Sequence, residues 1–157
     1  MEKTLSMKLL EKRKVSFKIH SYPDTERDAE QIAVILEIDP KHVYKTLVVL
    51  RQKGKPILMM LAANRRLNLK KLAKGIGEKK LNMASHAEAE AKTKLKVGGI
   101  SPLLLFNKGF DIYIDQLAAD LPYVLVSAGR KGINLQVPTN DLVKVVNARY
   151  VDASDAA

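Results

Sequence analysis

The chain has 157 residues, 46% of them hydrophobic and 28% charged, the size and balance of a globular domain with its own core. Its 27 Lys and Arg exceed its 17 Asp and Glu, a formal net charge of +10, which favours a polyanionic partner, nucleic acid above all. The absence of cysteine excludes disulfides, thiolate metal sites and a catalytic thiol, and no apolar run of about 18 residues is available to span a membrane.

The opening Met1-Glu2-Lys3-Thr4 lacks the apolar core of a signal peptide, so a cytoplasmic location is expected. No repeat, low-complexity run or linker interrupts the chain, and residues 1–157 are expected to form a single domain. Residues 5–14 read as an amphipathic helix through Leu5, Leu9 and Leu10. Phe17, Ile19 and Ser21 alternate with Lys18, His20 and Tyr22 as a half-buried strand. Asp28 reads as an N-cap with Gln31 in the capping-box position, ahead of a stripe of Ile32, Ala33, Ile35 and Leu36. Asp39-Pro40 marks a turn or helical start.

Residues 46–50 are β-branched and apolar, a central strand buried on both faces. Lys53-Gly54-Lys55-Pro56 turns into a further strand at 57–62. Asn68 caps a helix over 69–74, ended by Gly75 and Gly77. Ser85 and Glu88 form a capping box for a helix ending near Lys92. Strands follow at 103–106, 110–114, 121–126 and 133–137, then a short helix from Thr139 through Leu142, Val145 and Val146. The small, acidic tail after Val151 is expected to fray. The pattern predicts a mixed α/β (α+β-like) fold, with a curved mixed sheet or barrel-like core flanked by helices.

Three segments carry chemistry. Lys45 opens the buried strand on the face of Leu47 and Val49. A lysine there either snorkels to water or serves as a fixed compact cation for a phosphate or carboxyl ester. The run Val97-Gly98-Gly99-Ile100-Ser101-Pro102-Leu103 predicts a stiff loop. Its glycines admit close approach, Pro102 restrains Ser101, and the amides of Gly99, Ile100 and Ser101 are free to meet a carbonyl, an oxyanion or a phosphate. The third, Ser127-Ala128-Gly129-Arg130-Lys131-Gly132, is a basic turn between strands. Arg65, Arg66, Lys70, Lys71, Lys74, Lys79 and Lys80 crowd one stretch opposed only by Glu78. That stretch is either a solvated face or an RNA contact. With five Tyr, three Phe and no Trp, stacking platforms for general single-strand binding are scarce.

In this order and spacing the three segments resemble the YbaK-type trans-editing family, the bacterial Cys-tRNA(Pro) deacylases. His20-Ser21-Tyr22, Leu67-Asn68-Leu69-Lys70-Lys71-Leu72 and Asp141-Leu142 add lesser matches, and the resemblance runs from about Leu9 to Tyr150. It implies a mixed α/β domain related to the editing domain of some prolyl-tRNA synthetases. It also implies hydrolysis of mischarged aminoacyl-tRNA, the second sieve a synthetase needs when its pocket cannot reject a similar amino acid. The matching positions are Lys45, the loop from Gly98 to Pro102, Ser127 and Gly129, with Tyr22 a looser match. The chain departs from the family pattern at Leu104, where a glycine is usual, at Thr93-Lys94-Leu95, where Thr-Gly-Tyr is frequent, and at Asn134, where an acidic residue is common.

The residues suggest a compatible chemistry. His20, His42 and His86 have no Ser or Asp partner at a diagnostic spacing. His42 and His86 read as surface residues, and His20 shares a strand face with Tyr22. No His/Asp/Glu cluster suggests a metal, and no cofactor is expected. An aminoacyl ester is already activated, so positioning and oxyanion stabilisation suffice. The expected catalytic set is Lys45, Gly99, Ile100 and Ser101, with the loop amides on the ester carbonyl and Lys45 on the terminal adenosine or its phosphate. Tyr22, Gly98, Pro102, Ser127, Gly129 and Asn134 are expected to bind substrate, and Arg65, Arg66, Lys70 and Lys71 to bind tRNA. The attacking group is water oriented by a ribose hydroxyl, or the substrate's own thiol if the amino acid is cysteine. Prolyl-tRNA synthetase is the candidate partner. The alternatives are an inactive tRNA- or synthetase-binding module of the same fold and an editing enzyme for alanine or serine.

Overall fold

The computed structural model describes residues 2–26 and 28–157. Helix α1 (Leu5–Lys12) starts at Thr4, whose hydroxyl accepts the Met7 N–H. Its buried face is Ser6, Met7 and Leu10; Leu5, expected in the apolar stripe, is 71% exposed. Strand β1 (Lys18–Ser21) leads to α2 (Ala29–Leu36). There Asp28 caps through the Glu30 N–H, two residues on, rather than through a box with Gln31.

Strand β2 (Tyr44–Arg51) pairs antiparallel with β3 (Ile57–Ala62). All six residues of β3 are buried. Leu58, Met60 and Ala62 face the larger core, and Ile57, Met59 and Leu61 face a second one. This is why an unbroken apolar run here makes a strand at the centre of the sheet. Strand β4 (Arg65–Leu67) runs into α3 (Leu69–Ile76). The helix passes through Gly75 and is ended by Gly77, the C-cap residue, in the left-handed region at φ 78°. Strand β5 (Leu81–Met83) precedes α4 (His86–Thr93), which opens with the Ser85/Glu88 capping box in full.

Residues 103–106, expected as a strand, belong instead to a short helix, α5 (Pro102–Leu105), and its C-cap. Ser101 caps it and Pro102 takes the first helical position, where a missing N–H costs nothing. Strand β6 (Asp111–Asp115) follows, then a 3₁₀ turn over Gln116–Asp120 that delays β7 to Tyr123–Ser127. Strand β8 (Ile133–Pro138), α6 (Thr139–Val146) and β9 (Arg149–Val151) complete the cores. The tail does not fray: Ser154–Ala156 forms β10 and pairs with β4.

The strands form a five-stranded mixed sheet, β5-β2-β3-β6-β9, a three-stranded antiparallel sheet, β1-β8-β7, and the β10-β4 pair. A bridge between Val43 and Leu125 joins the first two. The larger core lies between them with α1, α5 and α6, while α3 covers the outer face of the five-stranded sheet. This mixed architecture of sheets flanked by helices is the one expected. No described helix is long and apolar enough to cross a membrane.

Candidate active site

Lys45, the glycine loop and the strands flanking the β7–β8 turn, far apart in sequence, border one cleft of about 230 Å³. Strand β2 contributes Tyr44, Lys45, Thr46 and Leu47, and α2 contributes Ala29 and Ile32 beside its cap Asp28. Val97, Gly98 and Ile100 come from the loop before α5, Ser127 and Asn134 from β7 and β8, and Tyr22 from the segment after β1. The walls are largely aliphatic, with a few polar groups converging on them, the usual make-up of a small-ligand site.

Lys45 is half-buried and does not snorkel freely. Its Nζ donates to the Arg65 carbonyl at 2.7 Å and approaches the Ala63 carbonyl at 3.5 Å. Burial lowers its pKa below the ordinary lysine value, and the charges of Glu30 and Asp28 work against that shift. The ammonium is therefore a cation fixed by main-chain dipoles at the border of the cleft.

Strand β4, which provides that carbonyl, is itself held by the C-terminal strand. Arg65 donates from Nε to Ser154 Oγ at 3.0 Å and from Nη2 to the Ser154 carbonyl at 3.1 Å. Ser154 Oγ donates to Asp115 Oδ2 at 2.8 Å, and the Ala153 N–H to Asp115 Oδ1 at 3.3 Å. Asp115 and Ser154 are each 1% exposed. Sequence reasoning missed this layer; its signal is Asp115 ending an apolar strand.

The glycine loop divides its tasks differently from expectation. Gly98 lines the cleft and holds the left-handed conformation, φ 92°. The Gly99 amide is not free, because it donates to the Lys96 carbonyl at 2.8 Å. Gly99 instead faces the β7–β8 turn, where an added Cβ would lie 3.0 Å from the Arg130 Cα. The Ile100 and Ser101 amides have no hydrogen-bond partner among the described residues, and Ile100 lines the cleft. Ser101 is fully buried, its Oγ accepting the Leu103 N–H at 3.2 Å. Gly99, Ser101, Pro102 and Gly129 are not among the lining residues. Leu104 is not either: it packs on Gly129, where a Cβ would collide with its side chain. The replacement at 104 thus lies outside the cleft wall, whereas Asn134 lies in it.

Opposite Lys45's strand, Ser127 and Asn134 face each other across the β7–β8 ladder. Ser127 Oγ accepts the Gly129 N–H at 3.1 Å, and Tyr22 Oη reaches Asn134 Oδ1 at 3.5 Å. Burial raises the Tyr22 phenol, the backbone bond involving Gly132 opposes that rise, and Glu26 adds to it. Tyr22 is therefore a neutral donor at physiological pH. No histidine lines the cleft. His20 Nε2 pairs with Gln136 Oε1 at 2.9 Å. His42, expected at the surface, is 9% exposed and stacks on Tyr123 with ring centroids 4.2 Å apart.

The four cations expected to meet tRNA are divided. Arg65 serves β10, and Lys71 Nζ pairs with Asp155 Oδ1 at 2.8 Å and approaches the Ser154 carbonyl at 3.3 Å. Arg66 and Lys70 remain exposed.

The mixed sheets and this cleft define an editing-type α/β domain, and the aminoacyl-tRNA editing domain family model matches residues 24–145. The chain belongs to that family, so its chemistry is deacylation of aminoacyl-tRNA. It is 31% identical over 153 residues to an Enterococcus faecalis protein named "Putative Cys-tRNA(Pro)/Cys-tRNA(Cys) deacylase EbsC", covering 96% of this chain and 93% of that one. It is 30% identical over 82 residues to a proline–tRNA ligase of Thermodesulfovibrio yellowstonii, covering 52% of this chain and 14% of the ligase. A crystal structure described as a "putative trans-editing enzyme for prolyl tRNA synthetase" superposes with TM-score 0.79 at 22% identity, covering 99% of this chain and 100% of that one.

Proposed function

We propose that the chain acts in trans to remove cysteine from Cys-tRNA(Pro), in company with prolyl-tRNA synthetase. The observation that carries this reading is Lys45, a half-buried cation tethered to the Arg65 carbonyl at 2.7 Å on the border of a small aliphatic cleft. The names of the Enterococcus protein and of the ligase support the choice of amino acid and partner.

In this reading the aminoacyl group enters among Ile32, Val43 and Leu47, and Lys45 holds the terminal adenosine. The Ile100 amide meets the ester carbonyl, where charge develops as the bond breaks. The cleft offers neither a cysteine nor a histidine, so Ser127 Oγ, which accepts the Gly129 N–H, has no imidazole base beside it to activate it. The attacking group is then water or the substrate's own thiol, and the cysteinyl ester of this reading supplies the thiol. Its sulfur bonds to the carbonyl carbon, the carbon–oxygen ester bond breaks, and the ribose oxygen leaves with the proton the thiol gives up. Holding thiol and ester in one small pocket supplies the proximity that this step needs.

Deacylation of Cys-, Ala-, Ser- and Pro-tRNA(Pro) by the purified protein tests the reading. Cys-tRNA(Pro) is expected to be cleared fastest, with Ser-tRNA(Pro), which carries oxygen in place of sulfur, far behind. Equal rates on the cysteinyl and seryl esters would overturn the thiol route, and no clearance of any ester would overturn the enzyme.

A further inference from the structure

Beside the cleft lies a second hollow, of about 560 Å³, walled by Ser21, Tyr22, Asp24, Arg130, Lys131 and Gly132. Tyr22 lines both spaces, so they adjoin at that residue. We propose that this trough is a subsite for the ribose–phosphate backbone of the single-stranded tRNA 3′ end, with Arg130 and Lys131 as its phosphate ligands. The proposal rests on the reading of the cleft as the aminoacyl pocket.

The turn bearing these cations is held at each flank. The Tyr22 N–H donates to the Gly132 carbonyl at 2.9 Å, the Ala128 N–H to the Ile133 carbonyl at 3.0 Å, and Ser6 Oγ to the Ala128 carbonyl at 2.6 Å. Gly99 lies against the Arg130 main chain. The backbone is thus fixed, while neither Arg130 nor Lys131 forms an ion pair among the described residues. Arg65 and Lys71 contrast with them, being bound to the C-terminal strand.

The chemistry of the trough selects its ligand. A bare anion would meet the Asp24 carboxylate as well as the two cations. A ribose–phosphate chain offers phosphates to Arg130 and Lys131 and hydroxyl donors to Asp24, and the 2′-hydroxyl is what distinguishes RNA in such a setting. An ester seated in the cleft is covalently continuous with such a chain, and Tyr22 stands where the two spaces join.

The test compares two substrates of the full-length protein: Cys-tRNA(Pro) and the cysteinyl ester of adenosine, which lacks the preceding phosphates. The double variant Arg130→Ala/Lys131→Ala should raise KM for the tRNA by about tenfold, and the tRNA-to-adenosine ratio of kcat/KM should fall by the same factor. The log–log salt dependence of tRNA binding should become shallower by about 1.4, since each single-strand phosphate no longer neutralised takes about 0.7 from the slope. Arg130→Lys/Lys131→Arg should restore both, since it keeps the charges. An unchanged ratio and slope would overturn the subsite while wild-type activity left the deacylase reading standing. A wild-type protein inactive on both substrates would overturn that reading, and the subsite with it. An equal loss on both substrates would assign the two residues to the pocket itself and overturn the trough.

Discussion

The Lys45 ammonium sits 2.7 Å from the carbonyl oxygen of Arg65, so its position follows β4 as much as its own strand. A lysine in such a place is a point charge set by the backbone, which alanine removes and which arginine's planar fork cannot reproduce in the same space. Losing one charge-assisted hydrogen bond costs about 1.5–3 kcal/mol, and lost alignment adds to it. Lys45→Ala should therefore slow single-turnover deacylation by at least about a hundredfold, and Lys45→Arg should fail as well. The circular dichroism spectrum should stay that of the wild type. A folded Lys45→Ala protein within a few-fold of wild type would remove this residue from the reaction.

The same burial has a consequence for pH. The folded-state pKa of Lys45 lies below the ordinary 10.5, chiefly because burial disfavours the charged form. Between those two values the unfolded chain binds more protons than the folded one, so this residue's contribution to stability rises with pH. Compared with Lys45→Met by denaturant titration, the wild type should gain stability as pH rises through the folded-state value towards 10.5. A difference that stays flat across that range would mean that the ammonium is as hydrated in the fold as out of it.

Much of the site was legible because order and residue type survive without coordinates. Tyr22, Lys45, Gly98, Ile100, Ser127 and Asn134 converge on one cleft. The errors have physical causes. Leu103-Leu104-Leu105-Phe106 has no period, so its apolar run reads as a strand, although Ser101 and Pro102 before it are helix-start signals. The tail after Val151 looks too small and polar to fold. Yet small size is what lets Ala153 and Ser154 fit against Asp115, and Asp155 finds Lys71 from the far end of the chain. Net charge counts cations but cannot say which are also bonded within the chain, as Arg65 and Lys71 are to the C-terminal strand.

The two loop glycines should fail for different reasons. Gly98→Ala places a side chain in the left-handed region at φ 92°, which costs about 1–2 kcal/mol. Gly99→Ala brings a methyl to 3.0 Å from the Arg130 Cα and 3.1 Å from the Lys131 nitrogen. These are main-chain atoms that cannot yield cheaply, so the β7–β8 turn must move. Thermal denaturation should show both losses, and Gly99→Ala should in addition raise KM for tRNA more than for the adenosine ester. Wild-type stability for Gly99→Ala would contradict the close packing of the two loops.

The basic stretch should separate into two functional halves. Arg66→Ala/Lys70→Ala removes exposed cations and should weaken tRNA binding with a shallower salt dependence, leaving the melting temperature unchanged. Arg65→Ala/Lys71→Ala removes the bonds to Ser154 and Asp155, and should lower the melting temperature. Filter binding across a salt series, beside calorimetry, checks both. Identical behaviour of the two pairs would show that the C-terminal strand does not engage Arg65 and Lys71.

Ser154 links the tail to the cleft through one hydroxyl. It accepts from Arg65 Nε at 3.0 Å and donates to Asp115 Oδ2 at 2.8 Å, in a place where Asp115 is 1% exposed. Ser154→Ala leaves a buried carboxylate oxygen and a guanidinium N–H without that partner, a loss of about 1–3 kcal/mol. Because Arg65 also presents the carbonyl that holds Lys45, the damage should reach the reaction. Single-turnover deacylation should fall several-fold at a temperature where the variant is still folded, with KM for tRNA little changed. Removing residues 153–157 should lower both stability and rate further, since it takes away the hydrogen bonds of Ala153 and Asp155 as well. Ser154→Ala with wild-type stability and wild-type rate would mean that the Asp115–Ser154–Arg65 chain does not position Lys45.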